Sequence, residues 1–275
     1  MRGFFLIIEI KLFYHSWCLI CVEKQLMKGL HQKIWIGYGI VILSLFILIY
    51  TPISYVVLLL FGKKTERPIL YFGYKIIARC LSACLLIRYK VMSCITVDPK
   101  ESYVLISNHK SMIDVFASEV TTPVIFKFLA KKSTGRMPVL GLLIRRLCIL
   151  IDRSNKASKQ LGFKLMAKNL KEGFSVLIFP EGTRNVTSEP LKSFYNGAFR
   201  LAIEEKKSIL IQTIIDSDKI ESPHIKSLNL KPGTVHVYWD GPFDTKDYTI
   251  DRLEELKVAI KEIMLQRIRE HQSLK

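Results

Sequence analysis

The sequence predicts an α/β domain, a β-sheet with helices packed on it, preceded by helices that associate with a membrane. Three observations carry this. From Ile34 to Phe61 the chain reads "IWIGYGIVILSLFILIYTPISYVVLLLF" without a charged side chain. From Glu101 onward, short apolar runs alternate with helical patterns. Finally, 41 Lys+Arg against 24 Asp+Glu give a formal charge of +17, in a chain that is 49% hydrophobic with positive mean hydropathy. That charge suits nucleic acid, an anionic membrane or a phosphorylated substrate, and the clustering of apolar residues toward the N-terminus favours the membrane. At 275 residues the chain accommodates one sizeable α/β domain with an appendage, and a second full domain would be cramped.

The elements follow in chain order. Residues 1–33 form an N-terminal segment whose first 22 residues look apolar but carry Glu9, Lys11 and His15 and lack a small-residue cleavage site, so they do not read as a secretory signal. Because Met27-Lys28 before an uncharged run would be an ordinary start for a membrane protein, the first 26 residues of this segment are expected to be dispensable. Residues 34–90 form the membrane-associated part. The uncharged run is roughly 40 Å long as a helix, enough for one crossing. Pro52 within it invites a kink, which keeps a membrane-dipping hairpin open beside a simple span. Lysines flank both ends and do not set an orientation. The stretch "RPILYFGYKIIARCLSACLLIRYKV" carries Lys75, Arg79 and Arg88 at helix-compatible spacing and reads as an amphipathic helix in the headgroup layer, or else as a core-facing helix of the soluble part. The six cysteines lie nearly all in apolar runs. His15, Cys18 and Cys21 have a faint metal-ligand spacing that no second pair completes, so no metal is expected, and the absence of a disulfide framework agrees with a reducing compartment.

Residues 91–275 form the α/β domain. Strands are predicted at "YVLIS", "VIFKFLA", "LCILID", "FSVLIFP", "SILIQTII" and "TVHVYW". Helices are predicted at Ser111 to Val120, Pro138 to Leu147, Lys156 to Leu170, Gly197 to Lys206 and Ile250 to His271. In such a sheet function sits on loops at strand ends.

Three loops carry chemistry. His109 follows "YVLIS" directly, and Asp114 falls in the opening turn of the next helix. With the histidine on the preceding turn the two can meet, and the carboxylate would then fix the imidazole tautomer and leave the other nitrogen as a base. A satisfied surface pair fits the same spacing. The second loop, "FPEGTR", presents Glu181 and Arg184 at the sheet edge. The guanidinium suits a phosphate and the carboxylate a hydroxyl, although a solvated ion pair between them is the simpler arrangement. In the third, "AKKSTGRMPVLG", Lys131, Lys132 and Arg136 make an anion-binding cluster or a solvated face. No Gly-x-Ser-x-Gly elbow, Walker loop or dinucleotide fingerprint occurs. A histidine base without a protein nucleophile points to a nucleophile on the substrate: a hydroxyl deprotonated by His109 attacks an activated acyl group while Arg184 and nearby lysines hold a phosphate.

These residues carry a resemblance to a known family. "NHKSMID" resembles the Asn-His-x-x-x-x-Asp block of the glycerolipid acyltransferases, and "FPEGTR" is identical to their second signature block. "LCILIDRS", "LKSFYNGAFRLAIE" and "GTVHVYWDGPF" resemble three further blocks, in matching order from about Tyr103 to Phe243. The resemblance implies His109 as base and Asp114 as its orienting partner. It implies Glu181 and Arg184 on the acceptor's glycerol and phosphate, Gly182 permitting the turn with Thr183 beside it, and Arg153 with Lys131 or Lys132 helping on the phosphate. It also implies a glycerolphosphate acyltransferase-like fold, a mixed sheet flanked by helices behind N-terminal membrane helices, and a donor that is a fatty acyl thioester of coenzyme A or acyl carrier protein. Neither metal nor cofactor is implied.

The function expected from this is acyl transfer to lysophosphatidate, giving phosphatidate for phospholipid synthesis at a membrane. The catalytic domain would lie on the cytoplasmic face, of the inner membrane in a bacterium. Ser133 and Thr134 depart from the family pattern, as do Gln212 and Thr213 where prolines are usual. These departures bear on the acceptor, so glycerol 3-phosphate, a lysophospholipid or a lyso-aminolipid stays open, as does a non-catalytic membrane-surface protein. Nucleic-acid binding lacks a recognisable module. The sequon at Asn185 would go unglycosylated on a cytosolic domain.

Overall fold

The computed structural model describes residues 32–53, 71–93, 95–136, 148–152, 154–222 and 230–274, with isolated positions between them. The N-terminal segment with His15, Cys18 and Cys21, most of the expected Pro138–Leu147 helix, and Arg153 lie outside the described residues. Helix α1 (Gln32–Ile53) is 22 residues long with a mean hydropathy of 2.2, and it is long and apolar enough to cross a membrane. At 1.5 Å per residue it spans about 33 Å, close to the hydrocarbon thickness of a bilayer. Ile34, Leu48 and Ile49 are exposed on it, and Pro52 is helical. Helix α2 (residues 71–84) packs antiparallel to it: Tyr38 Oη donates to the Cys84 carbonyl at 3.2 Å, while the rings of Tyr50 and Tyr74 meet at 5.0 Å. Near its other end α2 is tied to the body of the protein, where Tyr71 Oη donates to Val124 O at 2.7 Å and Lys75 Nζ to Thr122 O at 2.9 Å.

The expectation of one continuous amphipathic helix to Val91 is corrected here. Leu86 takes a positive φ of 52°, which ends the helix, and Ile87–Val91 form strand β1. The alternation of Ile87, Tyr89 and Val91 with Arg88 and Lys90 is a strand period that the helix-compatible spacing of the basic residues masks.

Six further strands follow: β2 (Val104–Ser107), β3 (Phe126–Lys131), β4 (Cys148–Ile151), β5 (Ser175–Ile178), β6 (Ile209–Ile215) and β7 (Gly233–Phe243). They form one sheet in the order β1-β7-β6-β2-β5-β3-β4, parallel except between β6 and β7. The central strands are buried along their length and mostly apolar because both faces are covered, with Ser107, Ser175, Gln212 and Thr213 as buried polar exceptions. Val104 and Ile106, Val176 and Ile178, and Ile209 and Ile211 point to one side, where α4 (Lys156–Lys171), α5 (Gly197–Glu204) and α7 (Leu253–Ser273) pack. Leu105, Leu177 and Leu210 point to the other, against α3 (Ile113–Thr121) and α2. Each such buried side chain contributes about 1.5–3 kcal/mol, so the sheet centre is the rigid platform for whatever its rim carries. Asn155 caps α4 by accepting from Ser158 N at 2.9 Å. Gly162 lets that helix close on β4, since a Cβ there would sit 2.2 Å from Ile151 Cγ2.

After β6 the chain turns through Asp216 (φ 70°) into the short helix α6 (Ser217–Ile220). Asp216 Oδ2 accepts from His236 Nδ1 at 3.1 Å and His271 Nε2 at 3.2 Å, clasping the end of α7 to β7.

Candidate active site

The parallel strands β2, β5, β3 and β4 end at one rim, and three of the motif loops leave from it. Asn108, the first residue beyond β2, continues the sheet with its side chain. Its Nδ2 donates to Ile214 O at 2.8 Å, and its Oδ1 accepts from Ile214 N at 2.7 Å. This amide clamp fixes where the chain departs, and hence where His109 stands. His109 Nδ1 lies 2.9 Å from Asp114 Oδ2, so the pair meets as the spacing allows. The same carboxylate oxygen accepts from Lys110 N at 2.6 Å and Ser111 N at 2.8 Å, and Asp114 is fully buried. Three donors on one oxygen hold the carboxylate in place, and Nδ1 must carry the proton for the histidine to be one of them. Nε2 is then the basic nitrogen. The imidazole stacks on Phe179 at 4.1 Å with an interplanar angle of 18°, which restricts its rotation.

Glu181 has a different position from the one expected. It is 2% exposed, and both of its oxygens are taken: Oε1 accepts from His109 N at 2.8 Å and Oε2 from Lys192 N at 3.0 Å. Burial raises its carboxyl above the usual range, against the pull of those two N–H donors. Its described contacts are therefore a tie that holds the base's own backbone; the contact with the acceptor's glycerol that the resemblance implies is not among them. Nor does it pair with Arg184.

Gly182 adopts φ 74°, the left-handed turn that glycine permits. Thr183 Oγ1 accepts from Lys192 Nζ at 2.9 Å. Arg184 Nη1 lies 3.3 Å from Glu221 Oε1, and the adjacent Asn185 N donates to His109 O at 2.7 Å. Base and guanidinium thus share the rim. Lys131 and Lys132 stand on it too, but beyond β5, two strands or about 10 Å from β2. There they lie near Asp152, whose carboxyl is held low first by hydrogen bonds from Ser154 and then by these lysines. The described contacts do not join them to the His109 loop.

Sequence reasoning missed Glu221, Lys192 and Phe179. Phe179 opens the quoted "FPEGTR" and Lys192 lies in the quoted "LKSFYNGAFRLAIE", but their roles needed the fold, whereas Glu221 has no motif around it. Of ligand types suited to a metal, Asp216, His236 and His271 bring their atoms within 4.8 Å of one another. Lys219 Nζ lies 2.6 Å from Asp216 Oδ1, and this ion pair with the two imidazole hydrogen bonds accounts for the arrangement as a clasp.

An apolar cavity of about 460 Å³ opens beside the dyad. Phe179, Pro180, Gly182 and Thr183 form one end, and Leu129, Ile151, Phe163, Met166 and Ile178 line the remainder, with Lys159 among them. Phe179 is therefore a wall shared by the base and the cavity. A proton acceptor, an apolar slot and a cation at a single rim suit a substrate that is greasy at one end and anionic at the other.

Comparison with known proteins agrees with this arrangement. Residues 89–215 match the Acyltransferase family model, across both the His109 and Arg184 loops. The chain is 30% identical over 172 residues to an uncharacterized acyltransferase of Schizosaccharomyces pombe, covering 62% of this chain and 61% of that one. It is 29% identical over 174 residues to a 1-acyl-sn-glycerol-3-phosphate acyltransferase of Saccharomyces cerevisiae, covering 62% and 57%. The chain thus spans about three-fifths of the length of these two relatives. The crystal structure of the 1-acyl-sn-glycerophosphate acyltransferase PlsC of Thermotoga maritima superposes with a TM-score of 0.77 at 18% identity, covering 89% of this chain and 97% of that one. The domain therefore has the mixed, helix-flanked sheet expected from the sequence.

Proposed function

We propose that this protein transfers a fatty acyl group from an acyl thioester to the free hydroxyl of lysophosphatidate, forming phosphatidate. The observation that carries this reading is the His109–Asp114 dyad, stacked on the wall of an apolar cavity with Arg184 on the same rim. The relatives named for this reaction support it.

Asp114 holds Nδ1–H, so His109 Nε2 takes the proton from the acceptor hydroxyl as its oxygen attacks the thioester carbonyl. A C–O bond forms, the tetrahedral intermediate collapses with loss of the C–S bond, and the imidazolium returns its proton to the departing thiolate. General-base assistance of this type contributes roughly 10²–10⁴-fold. Asp114 stabilises the imidazolium, Phe179 keeps the ring aimed, and Glu181 fixes the backbone beneath it. Arg184 binds the acceptor phosphate through its remaining N–H donors, with Lys110 and Lys192 adding positive potential. The apolar cavity receives an acyl chain. Arg153, Lys131 and Lys132 are assigned to the outer phosphate field, where a coenzyme A or carrier-protein phosphate would enter. The thioester supplies the activation, so the chemistry calls for neither metal nor cofactor. Helix α1 brings the rim to the bilayer, with the catalytic domain on the cytoplasmic face.

The test is a panel of acceptors with one labelled acyl-coenzyme A, repeated with acyl carrier protein: lysophosphatidate, glycerol 3-phosphate, lysophosphatidylethanolamine and a lyso-aminolipid. The expected result is a kcat/KM for lysophosphatidate at least about tenfold above the others. A preference for glycerol 3-phosphate or for an amine-bearing acceptor refutes the assignment.

A further inference from the structure

Glu221 is the residue that links the two motif loops. It follows α6 directly, and its side chain is about one-fifth exposed. Oε1 lies 3.3 Å from Arg184 Nη1, while Oε2 accepts from Ser111 Oγ at 2.6 Å and Met112 N at 2.9 Å. Ser111 and Met112 lie between His109 and Asp114, so one carboxylate joins the dyad's loop to the guanidinium from the second loop. The Met112 N–H opens helix α3 and has no side-chain cap of its own element, so an anion there is in a favourable field. A second contact repeats the tether, because Lys110 Nζ lies 3.8 Å from Asp218 Oδ2 on the same short helix. Ser217 anchors Glu221 from below by accepting its backbone N–H at 3.0 Å.

We propose that Glu221 is a positioning residue for the acceptor phosphate: it fixes the Arg184 guanidinium relative to His109, so that a phosphate bound there puts its hydroxyl at Nε2. The inference rests on the acyl-transfer reading of the site and extends it to a residue outside the signature motifs. An arginine side chain has several rotatable bonds, and ordering it only upon binding weakens binding. Glu221 orders it beforehand while occupying one of five N–H donors, and the other donors are left for the phosphate. Its negative charge near the phosphate works in the opposite direction. A net positioning role therefore requires the gain from a fixed geometry to exceed that repulsion, which makes the sign of the effect a decisive observable.

The experiment is a double-mutant cycle on full-length protein in detergent: wild type, Glu221→Ala, Arg184→Ala and the pair. KM for acceptor, KM for acyl-coenzyme A, kcat and thermal midpoint are measured for each. Glu221→Ala is expected to raise the acceptor KM about tenfold with kcat within about threefold and the donor KM unchanged. In the Arg184→Ala background the same change is expected to do nothing further, because the positioned group is gone. Glu221→Gln, which keeps one acceptor oxygen, should lie between wild type and Ala, and it stands in if the alanine variant does not fold. A lower acceptor KM on removing Glu221 would show that repulsion dominates and overturn the proposal. An undiminished effect in the Arg184→Ala background would overturn it equally, since Glu221 would then act through the fold alone. A wild type that acylates no phosphate-bearing acceptor would instead bring down the functional reading, and this proposal with it.

Discussion

Replacing Asp114 by Asn separates what the carboxylate does for the fold from what it does for the reaction. Its Oδ2 receives three donors, at 2.9, 2.6 and 2.8 Å, and an amide oxygen in the same place can receive all three. Oδ1 is buried and without a partner among the described residues, so the amide NH₂ would take that position with no acceptor. An unsatisfied buried donor costs about 1–3 kcal/mol, which sets the expected loss of stability. The effect on rate is larger. Proton transfer makes an imidazolium beside the carboxylate, and two unit charges about 4 Å apart at an effective dielectric of about 20 attract by about 4 kcal/mol. Loss of that attraction corresponds to roughly 10³ in rate. We expect kcat to fall by roughly 10²–10³ with the acceptor KM within about threefold, because the charge acts only after the proton has moved. Steady-state acylation of lysophosphatidate, alongside thermal unfolding, measures both. Retention of more than a tenth of wild-type kcat in a folded variant would show that Asp114 merely tethers a loop and does not stabilise the transferring histidine.

Three further perturbations report on other parts of the account. Glu181→Ala strips the acceptors from His109 N and Lys192 N, and it should cost about 1–3 kcal/mol per unpaired buried group while lowering kcat. Equal stability and activity would return Glu181 to the role of a dispensable surface carboxylate. Burial, offset only partly by Lys75, pushes Glu119 up from 4.5 to about 7. A folded-state pKa above the unfolded value means the stability this group contributes is greatest below about pH 4.5, declines as pH rises to about 7, and is flat beyond. Glu119→Gln should therefore match wild type near pH 4.5 and exceed it above pH 7 by about 1–3 kcal/mol in thermal or denaturant unfolding. A pH-independent difference would contradict the burial. Finally, Ala198 is 2% exposed and lines the cavity, so Ala198→Phe should shorten the preferred acyl chain in a competition among thioesters. Unchanged chain preference in a folded variant would place the acyl group elsewhere.

Much of this was readable before the fold was known, for identifiable reasons. Strands β2 and β5 announce themselves as short apolar runs because helices cover both of their faces, and β6 does so despite its buried Gln212 and Thr213. His109, Asp114 and Arg184 are legible because each lies within a few residues of a strand's end. Strand β1 was not, since its alternating Arg88, Tyr89 and Lys90 continue a helical charge spacing, and a leucine in a left-handed conformation gives no sequence signal for the break. Burial of Glu181 could not be inferred from its motif, where a charged residue on a loop reads as exposed. Glu221 was invisible for a different reason: its partner Ser111 lies 110 positions away in the chain. The placement of Lys131 near Asp152 likewise depends on strand order, which puts β5 between it and the dyad.

The most direct measurement of the central claim is acyl transfer to lysophosphatidate by purified His109→Ala against wild type at saturating thioester. A base that removes the hydroxyl proton predicts a loss of roughly 10²–10⁴ in kcat with unfolding and membrane association preserved. Full activity in the folded variant would contradict it.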